Sequence, residues 1–106
     1  MIVDPLFQVV EGWTEPLISQ LLINDAAFNA TGMTLVVTLK DKDGNAVSVT
    51  HGWLDASTSQ AQIEPATSTF DFPNGPYWIR YKVTDGGGDI IYFPPTEAGR
   101  IEVYKA

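Results

Sequence analysis

Tyr77-Trp78-Ile79-Arg80-Tyr81-Lys82-Val83-Thr84 is the stretch that decides the fold. Tyr77, Ile79, Tyr81 and Val83 alternate with Trp78, Arg80, Lys82 and Thr84, and side chains two apart share one face of an extended chain. The segment therefore reads as a β-strand with one side in a core and the other mostly wet. Pro73-Asn74-Gly75-Pro76 supplies the turn before it, because Gly75 accepts positive φ and the prolines cannot donate to a ladder. Asp85-Gly86-Gly87-Gly88-Asp89 follows as a hairpin loop, Ile90 to Phe93 returns as the partner strand, and Pro94-Pro95 stops it.

The same alternation recurs from Met33 to Lys40, where Met33, Leu35, Val37 and Leu39 fall together. Asp41-Lys42-Asp43-Gly44-Asn45 then leads into Ala46 to Thr50 as a second hairpin. Leu17 to Ile23 is more uniformly apolar, which suits a strand covered on both faces or one at a subunit contact. Arg100 to Tyr104 closes the chain, with Ile101 and Val103 inward and Glu102 and Tyr104 outward. Asp55 to Thr69 is the least patterned stretch and holds one short strand around Gln62. No segment reads as a helix longer than a turn or two. These signals predict an all-β fold, an immunoglobulin-like antiparallel β-sandwich of about seven strands. A small closed barrel is the structural alternative, and the Cys…Trp…Cys signature of antibody domains is absent. Residues 1–11 are expected to be an N-terminal arm or first edge strand, and 12–106 a single sandwich domain.

The 106 residues are 44% hydrophobic and 18% charged, an ordinary balance for one globular domain. There is no cysteine, so thiol redox chemistry is excluded and the apolar core alone must hold the fold. Thirteen acids against six bases give a formal charge of −7. That balance argues against nucleic acid as a partner, since a grip on phosphates needs clustered Lys and Arg. No base precedes Lys40, and no apolar run approaches the ~20 residues that cross a bilayer. Neither a signal peptide nor a membrane anchor is expected.

The candidates for chemistry each have a simpler explanation. His51 is the only histidine, so a zinc site would have to be completed by carboxylates. Ser48, His51 and Asp55 supply the residue types of a triad, but no strained elbow or oxyanion loop surrounds the serine. Asp41 to Asn45 begins like a calcium loop, yet Ala46 and Gly52 stand where an EF-hand needs glycine and a bidentate glutamate. Turn chemistry accounts for the same residues. Gly86-Gly87-Gly88 joins two strands without a helix N-terminus or a following Lys, which makes it a hairpin tip rather than a phosphate loop. Glu11, Glu15, Asp71 and Asp85 are the acids from which a glycosidase pair could be drawn, with no spacing that fixes any two. No catalytic residue, metal or cofactor is expected, and the chain reads as a non-enzyme.

The aromatic residues carry more information, with three Trp, four Tyr and five Phe. If Tyr77 and Ile79 point inward, Trp78 points outward beside Arg80, as an anchor that buries itself in a partner. Trp13 and Trp53, each following a glycine, are core plugs or part of the same patch. With Tyr104 on the outer side of the last strand, the interface candidates are Trp13, Trp53, Trp78, Arg80 and Tyr104. An alternative use for Trp13, Trp53 or Trp78 is to stack on a sugar ring, as in a carbohydrate-binding or adhesin-type sandwich.

Gly12-Trp13-Thr14-Glu15-Pro16-Leu17-Ile18, followed by a strand ending in Lys40-Asp41-Lys42-Asp43-Gly44-Asn45-Ala46-Val47, resembles the start of the N-terminal domain of phage upper baseplate proteins. The run from Asn74 to Pro94 is similar to that family's closing pattern of Gly-x-Tyr, an alternating strand, an Asp-Gly turn and an aromatic-Pro end. Ile101-Glu102-Val103 would be its last strand. The likeness extends from about Gly12 to Val103. It implies an immunoglobulin-like module of a tailed-phage particle that docks into baseplate or tail, assembled in the host cytoplasm and residing in the virion. The implied partners are other virion proteins and copies of the chain itself, and no catalytic residues are implied. Family members carry receptor-binding components on further domains. This sequence ends at Ala106, just after the sandwich, so the expectation reduces to a small virion module in a baseplate, tail or head decoration.

Overall fold

The computed structural model describes residues 6–94 and 98–106. These form nine strands: β1 (Phe7–Val10), β2 (Leu17–Gln20), β3 (Thr34–Lys40), β4 (Ala46–Val47), β5 (Thr50–Asp55), β6 (Gln60–Glu64), β7 (Tyr77–Thr84), β8 (Ile90–Phe93) and β9 (Gly99–Tyr104). Two single turns of 3₁₀ helix, Ala56–Thr58 and Phe72–Asn74, complete the regular structure. One sheet has six strands in the order β1-β9-β7-β3-β4 with β8 also on β7, and the other has three in the order β2-β6-β5. Two stacked sheets, with the chain crossing between them after β1, β2, β4 and β6, make an immunoglobulin-like sandwich rather than a closed barrel.

β7 is the spine. Along one edge it pairs with β3 from Thr34↔Thr84 to Lys40↔Trp78. Along the other it pairs with β8 over Tyr81 to Thr84 and with β9 over Tyr77 to Ile79. Its alternation is as strict in space as in sequence: Tyr77, Ile79, Tyr81 and Val83 are all at most 2% exposed. They pack with Val37 and Leu39 of β3, Ile101 and Val103 of β9, Val9 of β1, and Leu17, Ala61 and Ile63 from the facing sheet. A buried aliphatic side chain contributes about 1.5–3 kcal/mol relative to an exposed one, so this two-sided layer is the main source of stability.

Both hairpins close by the same device. Asp41 Oδ1 accepts the N–H groups of Asp43 and Asn45 at 2.9 and 3.0 Å, and Asp85 Oδ1 accepts those of Gly87 and Asp89 at 2.9 and 3.0 Å. In each, a four-residue turn closed by the glycine N–H to the Asp carbonyl ends in that glycine at positive φ, Gly44 at 83° and Gly88 at 87°. The pattern Asp-x-x-Gly-Asn/Asp thus specifies a turn, as its residue types lead one to expect.

Four expectations are corrected or made definite. The first is the strand count, nine against about seven, because Phe7–Val10 adds β1 and the stretch read as Ala46 to Thr50 divides into β4 and β5. β4 ends after two residues and the chain crosses to the other sheet, so Thr50 begins β5 there instead of ending a strand of the Asp41–Asn45 hairpin, and His51 lies within β5 opposite Ile63. The second makes definite the choice between an arm and a first edge strand: β1 is an edge strand of the chain's own sheet, parallel to β9, and Val9 is 1% exposed. Residues 1–5 lie outside the described part. The third is that this β1–β9 pair is parallel, whereas every other ladder among the described residues is antiparallel. The fourth is Leu17 to Ile23, whose strand stops at Gln20, after which Ile23 and Ala26 exchange hydrogen bonds of 2.9 and 3.1 Å across a tight turn. Asn24 and Asp25 both adopt left-handed φ there, 51° and 63°. A two-residue primed turn of this kind suits the twist of flanking strands and tolerates Asn and Asp.

Polar groups inside the sandwich are paired. The Tyr77 hydroxyl oxygen accepts the Asp71 N–H at 3.0 Å, a tyrosine corner at the entry to β7. The Tyr81 hydroxyl meets Ser19 Oγ of the facing sheet. Ser59 is fully buried; its hydroxyl donates to the Leu21 carbonyl at 2.6 Å and accepts the Phe28 N–H at 3.2 Å. Burial pushes the Tyr81 phenol above its ordinary value of 10.0, opposed by the Ser19 hydrogen bond. Burial also raises Tyr77, opposed by the Asp71 amide and reinforced by the nearby Asp71 and Asp41 charges. Because the folded state disfavours the phenolate, this stability is fully present below the unfolded value and is lost as pH rises through the folded one. Wild-type protein is accordingly expected to lose stability above pH 10. Tyr81→Phe should lower stability at neutral pH by about 1 kcal/mol and flatten the alkaline loss. Urea titrations at neutral and alkaline pH check both.

Candidate functional site

Strand alternation fixes what the six-stranded sheet shows on its outer face. From β7 come Trp78, Arg80, Lys82 and Thr84; from β3, Thr34, Val36, Thr38 and Lys40; from β8, Ile90 and Tyr92; from β9, Arg100, Glu102 and Tyr104. The ladder places Trp78 between Arg100 on β9 and Lys40 on β3, and Lys82 between Tyr92 on β8 and Val36 on β3. Each of these two rows therefore sets an aromatic side chain beside a cation on the neighbouring strand.

Trp78 is 38% exposed, and Val36, Ile90, Tyr92 and Tyr104 are between 42% and 49% exposed. The Arg80 guanidinium lies 4.5 Å from the centroid of the Tyr92 ring, and its Nε–H donates to the Pro94 carbonyl at 3.3 Å. A cation over a ring at such an exposed site contributes about 0.5–1 kcal/mol. Thr38, Lys40, Trp78, Arg80, Tyr92 and Ala98 line an open hollow of about 220 Å³ beside this pair. Further along, Arg100 Nε forms an ion pair of 3.2 Å with Glu102.

Charge is distributed unevenly. Of the six bases in the chain, Lys40, Arg80, Lys82 and Arg100 project from this face, and Glu102 is the one acid among its described outward strand positions. Many of the acids lie in the loops at the two ends of this sheet. Glu11, Glu15, Asp41, Asp43 and Asp71 gather at one end, where Gly12 N–H bonds Phe70 O at 3.0 Å and Lys42 N–H bonds Asn74 O at 3.0 Å. Asp85 and Asp89 occupy the opposite end. A protein of net charge −7 thus carries a locally basic, aromatic sheet face.

The sequence-derived candidates separate into two groups. Trp78 and Arg80 lie together on this face, and Tyr104 extends it along β9 toward Val10 of β1. Trp13 and Trp53 pack against the core. Trp53 Nε1–H donates to Met33 O at 3.1 Å, and Trp13 Nε1–H donates to Glu15 O at 3.0 Å. Lys82, on the outer side of the same strand by alternation, and Tyr92 are not among the sequence-derived interface candidates. The signal for Tyr92 was available in the hairpin register, which puts residue 92 opposite residue 82 once the Asp85–Asp89 loop is counted.

The chemistry-bearing groups are occupied structurally. His51 is exposed and its Nδ1 is 2.9 Å from Val49 O, while Asp55 Oδ1 receives the Ser57 N–H at 3.1 Å and the Ser57 hydroxyl at 2.6 Å. Those bonds, the Ser57 side chain first and Thr58 next, hold the Asp55 carboxyl below its ordinary value. Glu11 accepts the Phe72 and Ala106 N–H groups at 3.4 and 3.2 Å, latching the first loop to the entry of β7 and to the C-terminus. Asp85 is separated from Asp71 by the length of β7, about 25 Å at ~3.3 Å per residue, too far for a carboxylate pair. Among the described residues no cluster of three or more His, Cys, Asp or Glu is arranged to hold a metal ion, and no helix is long and apolar enough to cross a membrane.

No protein-family model and no curated protein matches this chain.

The difference between the tryptophans is measurable. Trp53→Ala removes packing and a hydrogen bond and is expected to cost about 3 kcal/mol, whereas Trp78→Ala should change stability by less than about 1 kcal/mol. Equilibrium denaturation of the two variants checks the ranking, and equal losses would contradict it.

Proposed function

We propose that this chain is a non-enzymatic structural subunit of a phage particle, in its baseplate, tail or head decoration, held by protein–protein contacts through the outer face of the six-stranded sheet. The observation that carries the reading is the exposed Trp78 flanked by Arg100, Lys40 and the Arg80–Tyr92 pair on one broad face. Tryptophan, tyrosine and arginine are the residues that most often anchor protein interfaces, and here they need no rearrangement to meet a partner. The virion assignment draws on the resemblance of Gly12–Ile18, Lys40–Val47 and Asn74–Pro94 to the phage upper baseplate family. The partners in this reading are other virion proteins and further copies of the chain.

A second reading has an observation of its own. The hollow of about 220 Å³ between Trp78 and Tyr92 is large enough for one sugar ring, with Lys40 and Arg80 at its rim. In that case the protein is a carbohydrate-binding module that uses Trp78 alone, because Trp13 and Trp53 are committed to the core.

Mass spectrometry and immunogold labelling of purified virions of the phage that encodes the chain test the first reading. It is expected on the particles in fixed copy number. The Trp78→Ala/Tyr92→Ala variant, still folded, should be incorporated roughly tenfold less well. Absence of the wild-type protein from particles would overturn the assignment, and glycan-array binding that vanishes with Trp78→Ala would favour the second reading.

A further inference from the structure

The basic sheet face and the acidic loop end are complementary, and they belong to the same molecule. The face presents Lys40, Arg80, Lys82 and Arg100 around Trp78, Tyr92 and Val36. At the end where β7 begins lie Glu11, Glu15, Asp41, Asp43 and Asp71, with exposed Phe72 and half-buried Trp13 among them. Each surface thus carries aromatic groups amid charge mostly of one sign, four bases against Glu102 on the face and five acids against Lys42 and Lys105 at the end, and the prevailing signs are opposite.

We propose that the chain self-associates head to side, the acidic loop end of one copy seating on the basic aromatic face of the next. Pairing two copies face to face would oppose two surfaces that each carry four bases against one acid, and like charges across an interface are costly. Pairing end to end would do the same with acids. Only the unlike combination brings the charges together and covers Trp78 and Phe72 in the same step. Such a contact uses different patches on the two partners, so each copy keeps one free face and one free end, and the association continues into a ring or filament. This inference rests on the assembly reading above and names the partner of that same face.

Sedimentation velocity of the full chain tests it. Wild-type protein is expected to form concentration-dependent oligomers at low ionic strength that dissociate in high salt, since exposed charge pairs are screened within ~10 Å at 0.1 M salt. Lys40→Gln/Lys82→Gln disables the face, and Glu15→Gln/Asp43→Asn disables the end, neither creating a reversed charge with which the other could pair. Each variant alone should be monomeric, with self-association weakened by roughly tenfold or more. Mixed, they should give a complex that stops at one to one, because the first retains a live end and the second a live face. Circular dichroism on each variant establishes that it is folded.

A wild-type protein that stays monomeric at every concentration overturns the proposal, as does a mixture that forms no complex or variants that oligomerise unchanged. A monomer that is nevertheless found on virions would leave the assembly reading standing and give the face to a different virion protein. Oligomers in solution with no protein on virions would do the opposite.

Discussion

The structure depends on the alternation along β7. A strand hydrogen-bonded on both edges cannot slip by one residue without moving Tyr77, Ile79, Tyr81 and Val83 from the core to water and Trp78, Arg80 and Lys82 from water to the core. Burying Arg80 and Lys82 without partners would cost several kcal/mol each, so the register is fixed from both sides. The remaining strands of the larger sheet take their positions from this one. β3 is set by seven paired residues, β8 by a five-residue loop, and β9 by the three residues that continue along the edge β8 leaves open.

The same constraint builds the outer face. Because the inward set is wholly apolar apart from two paired phenols, the strands' polar and cationic residues are all directed outward, where the ladder brings them into rows. Trp78 and Tyr92 are accordingly presented on a rigid sheet, and not on a loop that would have to be ordered on binding. A partner meeting this face loses little conformational freedom, which raises the affinity obtained per unit of buried area.

Much of the fold was legible in the sequence because sheet packing has a period of two. Tyr77–Thr84, Met33–Lys40 and Arg100–Tyr104 all show it, and their inward residues were identified correctly. Both Asp-x-x-Gly loops were legible for a different reason, since a short acid followed by a glycine specifies its own turn. What escaped notice lacks a period. The crossing after Val47 is set by the two-residue length of β4, and the corner around Ser59 is held by side-chain bonds to Leu21 and Phe28 that are far apart in sequence. β1 was ambiguous because four residues at an edge carry too little alternation to distinguish a strand from an arm. At the candidate site, Trp78, Arg80 and Lys82 could be found from one strand alone, whereas Tyr92 required the pairing of two.

Hydroxyl-radical footprinting of free and assembled protein tests the central claim most directly, because side-chain oxidation reports solvent access residue by residue. Trp78, Tyr92 and Tyr104 should be reactive in the free chain and protected in the assembly, while Trp53 stays equally slow in both. Equal reactivity of Trp78 and Tyr92 in the two states would contradict the claim that this sheet face is where the protein meets its partner.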